Sequence, residues 1–592
     1  MRSLLTSKIP GPSWGYPMYV VFKQRVAVMV LTISLIALLP PSLVVTLSGQ
    51  LLHGVRRVRS PAVPPVSRLP AEILVDVFRL TQDHLLSTHT DAKGPFIPTR
   101  GCSYHWLRVT HVCHQWREVA LTCPMLWDTI CLTDCCPGTD EGGHFIPPLR
   151  QQATHTHDLE PELLDRSGSC PLKVFSRGHA STKHIRTLLS RIEELDLDDF
   201  QLPVLSDITQ QLHIKTLVVR NENRSDWGRG NMQLVLDHVQ VATNLQSLAL
   251  KTVEMFPQVH LPRLVHFYTK VEVFYLQRDS LPIIEFLALN PTIQDIDVDV
   301  VNAAVYGAQD DYKGKITHLP NLQRLALMNC DRPDLILRRI SFPAGVSLTM
   351  IQRRFIQFYR GPSSYMGLED LTRFRFESGT GESPWHSSVH ATGALSACRW
   401  EWALEDRDPS EGLMTEMCTQ VRDAEEIWFT GAFSLPIADG LLERVFAETH
   451  NLRKLFLFSR LVPKHPLRDA IIRALAPAEH QVPSAALKEL HLWIGPGDRF
   501  LYLEALENTL SARKARGIPL QMLAIHFGRL GERTKLVEWS GQCPREALAR
   551  KRLTPLVGTL RFTRVEGSLP QMELVSICRS QSDGPWNWPV WK

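Results

Sequence analysis

The sequence predicts an α/β chain, α+β overall, in which a small helical unit precedes a long solenoid of strand–helix repeats. Three observations carry this. Apolar residues recur at helical spacing in two segments, Ser67–Leu80 and Leu107–Leu132. From Pro171 onward, short runs of the form apolar-x-x-apolar-x-apolar return twelve times. Hydrophobic residues make up 44% of the chain and charged ones 21%, enough to bury a core along most of its length.

At 592 residues there is room for several domains, at roughly 150 residues each. The net charge of +4 is nearly neutral for this size and gives no electrostatic footprint for nucleic acid. The 12 cysteines are too sparse for a disulfide scaffold. Six fall between Cys102 and Cys136, but their gaps are irregular and form no CxxC pair, so reduced buried thiols are the expectation rather than zinc.

Residues 1–59 form a hydrophobic N-terminal segment. Val26–Gly54 holds no charged side chain apart from His53, and Pro40-Pro41 interrupts its apolar run. Three readings stay open: a membrane anchor through 26–52, a cleaved signal, or a true start at Met18 or later. Lys8, Lys23 and Arg25 before the run balance the arginines at 56, 57 and 59 after it, so charge bias sets no orientation. SPAVPPV at Ser60–Val66 is a stiff, proline-rich spacer.

Residues 60–132 form the helical unit. Leu69, Ile73, Leu74, Val77 and Phe78 share one helical face, with Pro70 in the first turn. Val109, Val112, Cys113, Trp116, Val119 and Ala120 repeat the spacing, and Pro124 stops the second helix. Thr81–Trp106 carries Gly94-Pro95, Pro98 and Gly101, and reads as a surface loop inserted between the helices. Two helices this short need each other and a partner to be stable.

The run Leu69-Pro70-x-Glu72-Ile73-Leu74-x-x-Val77-Phe78, with Val112-Cys113-x-x-Trp116-Arg117-x-x-Ala120 and Pro124-x-Leu126-Trp127, resembles an F-box. The resemblance covers about a ninth of the chain. It implies a Skp-family adaptor and, through it, a cullin, in an SCF-type ubiquitin ligase. It also implies an adaptor-binding surface of Leu69, Pro70, Ile73, Leu74, Val112, Cys113 and Trp116.

Residues 133–170 read as a linker. His155 and His157 lie in a polar stretch, and a solvated role is the expectation. Residues 171–592 hold the repeats, including IEELDL at Ile192, LQSLAL at Leu245, LRKLFL at Leu452 and LKELHL at Leu487. Each run fits a short strand with alternate side chains buried. SLPIIEFLALN at Ser280 and GLLERVFAETH at Gly440 fit the intervening helices. One strand and one helix per 20–29 residues is the leucine-rich-repeat signature, here loosely spaced and mostly lacking the consensus Asn. The competing reading is a general α/β domain with parallel strands. The pattern lapses near 330–427, where Gly361–Gly367 and Glu377–Ser388 predict an irregular excursion, or two weak repeats without a clear place. DGPWNWPVW at Asp583–Trp591 is read as a cap on the last repeat, or as a docking tag.

Residues between the buried positions are expected to face the hollow of the solenoid. That places Trp428, Phe456, Phe458, His491, Trp493 and His526 on one surface, the candidate target-binding patch. Ser247, Ala249, Arg324 and Ala326 are the poorer anchors of the earlier repeats. The alternative is that a helix or the Trp-rich tail covers the aromatics. No nucleophile elbow or HExxH is present, so no catalytic, cofactor or metal residues are assigned and the chain is read as a non-enzyme. The expected function is target recognition for a ubiquitin ligase in the cytoplasm or nucleus. The alternative is an interaction scaffold, either independent of a ligase or tethered to a membrane. Glycosylation of the Asn223-Arg-Ser225 sequon would favour an externally facing membrane form.

Overall fold

The computed structural model describes residues 69–88, 110–133, 160–177, 182–198, 213–220, 243–251, 256–271, 282–300, 316–330, 333–352, 370–380, 383–403, 421–431, 441–459, 466–478, 482–494, 503–529, 544–566 and 572–575. The chain divides into two compact units, Met1–Ala71 and Glu72–Lys592. In the first, the described residues are Leu69, half-buried, Pro70, exposed, and Ala71, which opens helix α1. The hydrophobic segment 26–52, the histidines at 155 and 157, the sequon at 223–225 and the tryptophan-rich end at 583–591 lie outside the described residues. No helix among the described residues is long and apolar enough to cross a membrane.

The second unit begins with α1 (Ala71–Thr88), α2 (His114–Thr122) and a 3-10 turn at Pro124–Leu126. Proline ends α2 as expected, since it cannot continue the helical hydrogen-bond ladder. The loop expected from Thr81 starts later. The chain stays helical to Thr88, with Thr81 donating to the Val77 carbonyl at 2.7 Å and Gln82 buried. Thr81–Thr88 holds no glycine or proline, so nothing local breaks the helix before the turn formers at Gly94.

Strand β1 (Thr129–Thr133) then opens the sheet, earlier than a linker starting at 133 would suggest. After it come α3 (Glu160–Ser167), β2 (Leu172–Arg177), α4 (Thr182–Leu188), β3 (Ile192–Asp198), β4 (Thr216–Arg220), β5 (Ser247–Lys251) and β6 (His266–Val271). Next are α5 (Pro282–Leu289), β7 (Asp295–Val300), β8 (Thr317–His318), β9 (Arg324–Met328), α6 (Pro333–Leu337), β10 (Ile340–Ser341) and β11 (Ser347–Gln352). The last part holds β12 (Arg373–Thr380), β13 (Ser383–Thr392), β14 (Ala397–Ala403), β15 (Glu426–Gly431), α7 (Leu441–Glu448), β16 (Lys454–Ser459), α8 (Pro466–Ala474), β17 (Glu489–Ile494), α9 (Leu503–Ala515), β18 (Met522–Arg529), α10 (Pro544–Leu553) and β19 (Thr559–Glu566). The two segments read as helices from sequence are α5 and α7.

Among the described residues, seventeen strands join in one sheet. Each of β1 to β7 pairs in parallel with the next, and β7 continues to β9 and β11. From β12 the series runs in parallel through β15, β16, β17, β18 and β19. The fourth residues of the repeated runs are in register. Leu195, Leu217, Leu248, Phe267, Ile296 and Leu325 are consecutive partners. Phe374, Ile427, Leu455, Leu490, Leu523 and Leu560 are partners likewise. A two-residue period leaves this row on one face, where it packs with Ile283 and Phe286 of α5, Leu442 and Phe446 of α7, Ile471 of α8 and Leu506 of α9. A parallel sheet with both faces covered reads as near-continuous apolar runs, and every residue of β9 is buried.

Within the span expected to be irregular, the described residues 370–380 and 383–403 are ordered sheet, while Gly361–Gly367 lies outside the described residues. β12, β13 and β14 form an antiparallel meander, and β11 pairs with β14, so the chain order reverses there before parallel pairing resumes at β15. Ser, Thr and His in β13 conceal the strand from hydrophobic periodicity, yet His390 and Thr392 are buried. The tight turn into β14 is set by Asp370, whose Oδ2 accepts the N–H groups of Leu395 at 3.0 Å and Ser396 at 3.3 Å. Burial opposes ionisation of Asp370, but these amides outweigh it and hold its carboxyl below the usual range. Gly393 is required beside it, because a Cβ there would stand 2.3 Å from the Asp370 carbonyl oxygen.

Candidate functional site

The first surface lies on α1 and α2. Leu74 and Phe78, one helical turn apart, are fully buried, and the Phe78 ring meets Trp116 edge-on at 5.1 Å. Trp127 closes the unit from below by donating its Nε1–H to the Ala120 carbonyl at 2.8 Å, with the Arg166 guanidinium 4.7 Å above its ring. The opposite side of the same helices is apolar and exposed. Ile73 is 46% exposed and Leu80 55%, and their seven-residue separation puts them on one stripe of α1. Val112 at 52% and Met125 at 46% flank α2. Four large apolar side chains are thus left in water on a small unit.

Of the seven residues read as adaptor-binding, Ile73, Val112 and Pro70 are exposed. Leu69, Cys113 and Trp116 are half-buried. Cys113 is the N-cap residue of α2, its carbonyl accepting from Arg117 N at 3.0 Å and its side chain making no cap bond. Leu74 corrects the expectation: at 0% exposure it belongs to the buried core. Leu80 and Met125 were missed, although Leu80 stands two turns after Ile73 and the spacing alone could have found it.

The second surface is the sheet face opposite the helices. One row of paired residues crosses the last part of it: Arg375, Trp428, Phe456, His491, Ala524 and Arg561. Trp428 stacks on Phe456 at 3.7 Å, and Phe456 stacks on His491 at 4.2 Å. In the next row Phe458 meets Trp493 edge-on at 6.2 Å and His526 at 5.8 Å. The two imidazoles are linked, His491 Nδ1 to His526 Nε2 at 3.1 Å, and His526 Nδ1 meets the Thr563 hydroxyl at 2.6 Å. Burial, with His491 adding to it, pushes His526 down to about 4, and burial lowers His491 as well. Both rings are therefore neutral at physiological pH.

The six aromatic and histidine candidates do converge on one face. They are not the open anchors expected. Trp428, Phe456, Phe458 and Trp493 are buried, while His491 and His526 are half-buried. Met572, itself 3% exposed, packs among the four buried rings, and Leu574 lies against the same cluster. Leu574 and Val575 continue onto Ala397 of β14. The earlier-strand residues Ser247, Ala249, Arg324 and Ala326 are buried too.

Charge dominates that earlier half, which sequence periodicity did not show. Arg220 donates to Asp196 through Nε at 2.7 Å, and both are buried. Asp295 accepts Arg324 at 3.1 Å and contacts His266 at 2.8 Å. Asp297 is pushed up to about 8 by burial and by Asp299, and burial also raises Tyr268 beside it. Among the described residues no group of three or more His, Cys, Asp or Glu is placed to hold a metal ion.

A family model described as F-box-like matches residues 66–133. The match spans both helical motifs and the insertion between them. The chain therefore carries an F-box-like domain over this span. No curated protein matches the chain.

Proposed function

We propose, from the F-box-like domain at residues 66–133, that this chain is the target-recognition subunit of an SCF-type ubiquitin ligase, working in the cytoplasm or nucleus. The observation that carries the reading is that domain's exposed apolar face. Ile73, Leu80, Val112 and Met125 stand in water while Leu74, Phe78 and Trp127 of the same domain are buried. A Skp-type adaptor would cover them and connect the chain to a cullin.

The sheet behind the domain supports a receptor role. Its in-register parallel strands and intervening helices fit a leucine-rich-repeat-like solenoid, the kind of extended surface on which a target can be held. The chain itself acts as a non-enzyme. Its contribution is proximity: holding a lysine-bearing target beside a charged conjugating enzyme raises effective concentration without local chemistry.

Affinity capture of the full chain from cells, read for adaptor and cullin, tests this. Val112→Asp with Met125→Asp is expected to abolish capture while leaving the thermal transition in place. Capture of adaptor without cullin would instead support a ligase-independent scaffold, and capture of neither would refute the reading.

A further inference from the structure

Resting on that receptor reading, we propose that the aromatic face of β15–β17 is a peptide-binding groove occupied by the chain's own Met572–Val575, and that an extended apolar–acidic–apolar segment of a partner protein displaces it.

The chemistry of the occupant is on the page. Met572 fills the space among Trp428, Phe456, Phe458 and Trp493, and Leu574 spans from these rings toward Ala397. Glu573, between them, points out with 80% of its side chain exposed, and its Oε2 stands 3.8 Å from Arg373 Nη1. Met572 inward, Glu573 outward and Leu574 inward is the alternation that an extended segment lays on a flat face, and Val575 packs beside Leu574 on Ala397. Arg373 otherwise donates to the Gly393 carbonyl at 3.2 Å, so among the described residues its carboxylate partner comes from this segment.

The segment is held in a way that permits exchange. It forms no strand, and among the described residues its backbone makes no hydrogen bond. One buried side chain, two half-buried ones and one partly exposed ion pair oppose the ordering entropy of four residues. The surface beneath is of the opposite kind: stacked rings on paired strands, the composition in which binding energy concentrates. A tethered occupant competes at high effective concentration, so an incoming peptide must outbid it by matching its pattern.

The test uses a labelled synthetic peptide of residues 569–577 and the full chain. Met572→Ser with Leu574→Ser is expected to raise the chain's affinity for the peptide about tenfold by vacating the groove. Arg373→Glu is expected to weaken uptake about threefold, and a peptide carrying Glu573→Lys to restore it. A folded double variant that binds no better than wild type overturns the proposal. If the double variant fails to fold, a protease site placed between Gly567 and Ser568 is cut after folding. Release of the fragment with the transition intact and the peptide then taken up supports the groove; loss of the cooperative transition shows the segment to be integral core and overturns it. Adaptor capture separates this from the ligase reading. A chain that binds peptide but no adaptor keeps the groove and loses the ligase, and one that binds adaptor but no peptide does the reverse.

Discussion

Ile73 and Leu74 are neighbours in sequence and opposites in structure, and replacing each gives a sharp prediction. Leu74 is 0% exposed in α1. Leu74→Ala removes its buried methyl groups and leaves a cavity, at a cost of about 2–5 kcal/mol. The helix pair is small, so the F-box-like domain should melt ahead of the sheet. Ile73 is 46% exposed in the first turn of α1. Ile73→Asp places a carboxylate at the positive end of that helix, which favours the helix slightly, and an exposed site usually moves stability by no more than about 0.5 kcal/mol. Adaptor binding should nonetheless suffer. Covering the exposed part of the isoleucine is worth about 1–2 kcal/mol, and an aspartate there must be desolvated as well, so the dissociation constant rises at least about tenfold. Calorimetric titration of each variant with a recombinant Skp-type adaptor, paired with thermal melting, measures both. If Leu74→Ala keeps its melting profile and loses the adaptor, or Ile73→Asp binds as wild type does, the division of this helix into core and docking faces is wrong.

Two further predictions follow from the sheet. Gly393→Ala should destabilise by about 1–3 kcal/mol, because the new Cβ meets both the Asp370 carbonyl oxygen and the carboxylate that the Leu395 and Ser396 amides hold in place; urea denaturation measures it. The second concerns pH. With the folded His526 held near 4, the unfolded chain takes up the proton first, so stability is flat above about pH 6.5 and falls as pH drops toward 4. After allowance for partial exposure its share of the loss is about 1–2 kcal/mol, and His526→Gln should make that stretch of the urea-midpoint profile shallower, with the buried His390 and His491 keeping the remaining slope.

The parts legible in the sequence were those in which one residue's identity reports one local state. The fourth residues of the repeated runs, from Leu195 to Leu325 and from Phe374 to Leu560, form in-register rows, because a period of two fixes the face of a strand wherever it lies. The helix pair of the F-box-like domain was legible for the same reason at a period of 3.6. The meander was not: β13 holds its place through pairing with β12 and β14, and its serines, threonines and histidines carry no alternation to read.

Sequence alone determined that there would be a paired-helix unit, a series of parallel strands with helices between them, and a line of aromatics sharing one face. Tertiary structure decided which of those side chains meet water. Leu74 and Ile73 have the same hydrophobicity class, and Trp428 has the composition of an anchor, but exposure depends on what lies above them. Leu74 is fully buried while Ile73 beside it is not; for Trp428 the covering side chain is Met572, 144 residues further along the chain. Contacts across such separations are set by the packing of the whole sheet, and no local pattern encodes them.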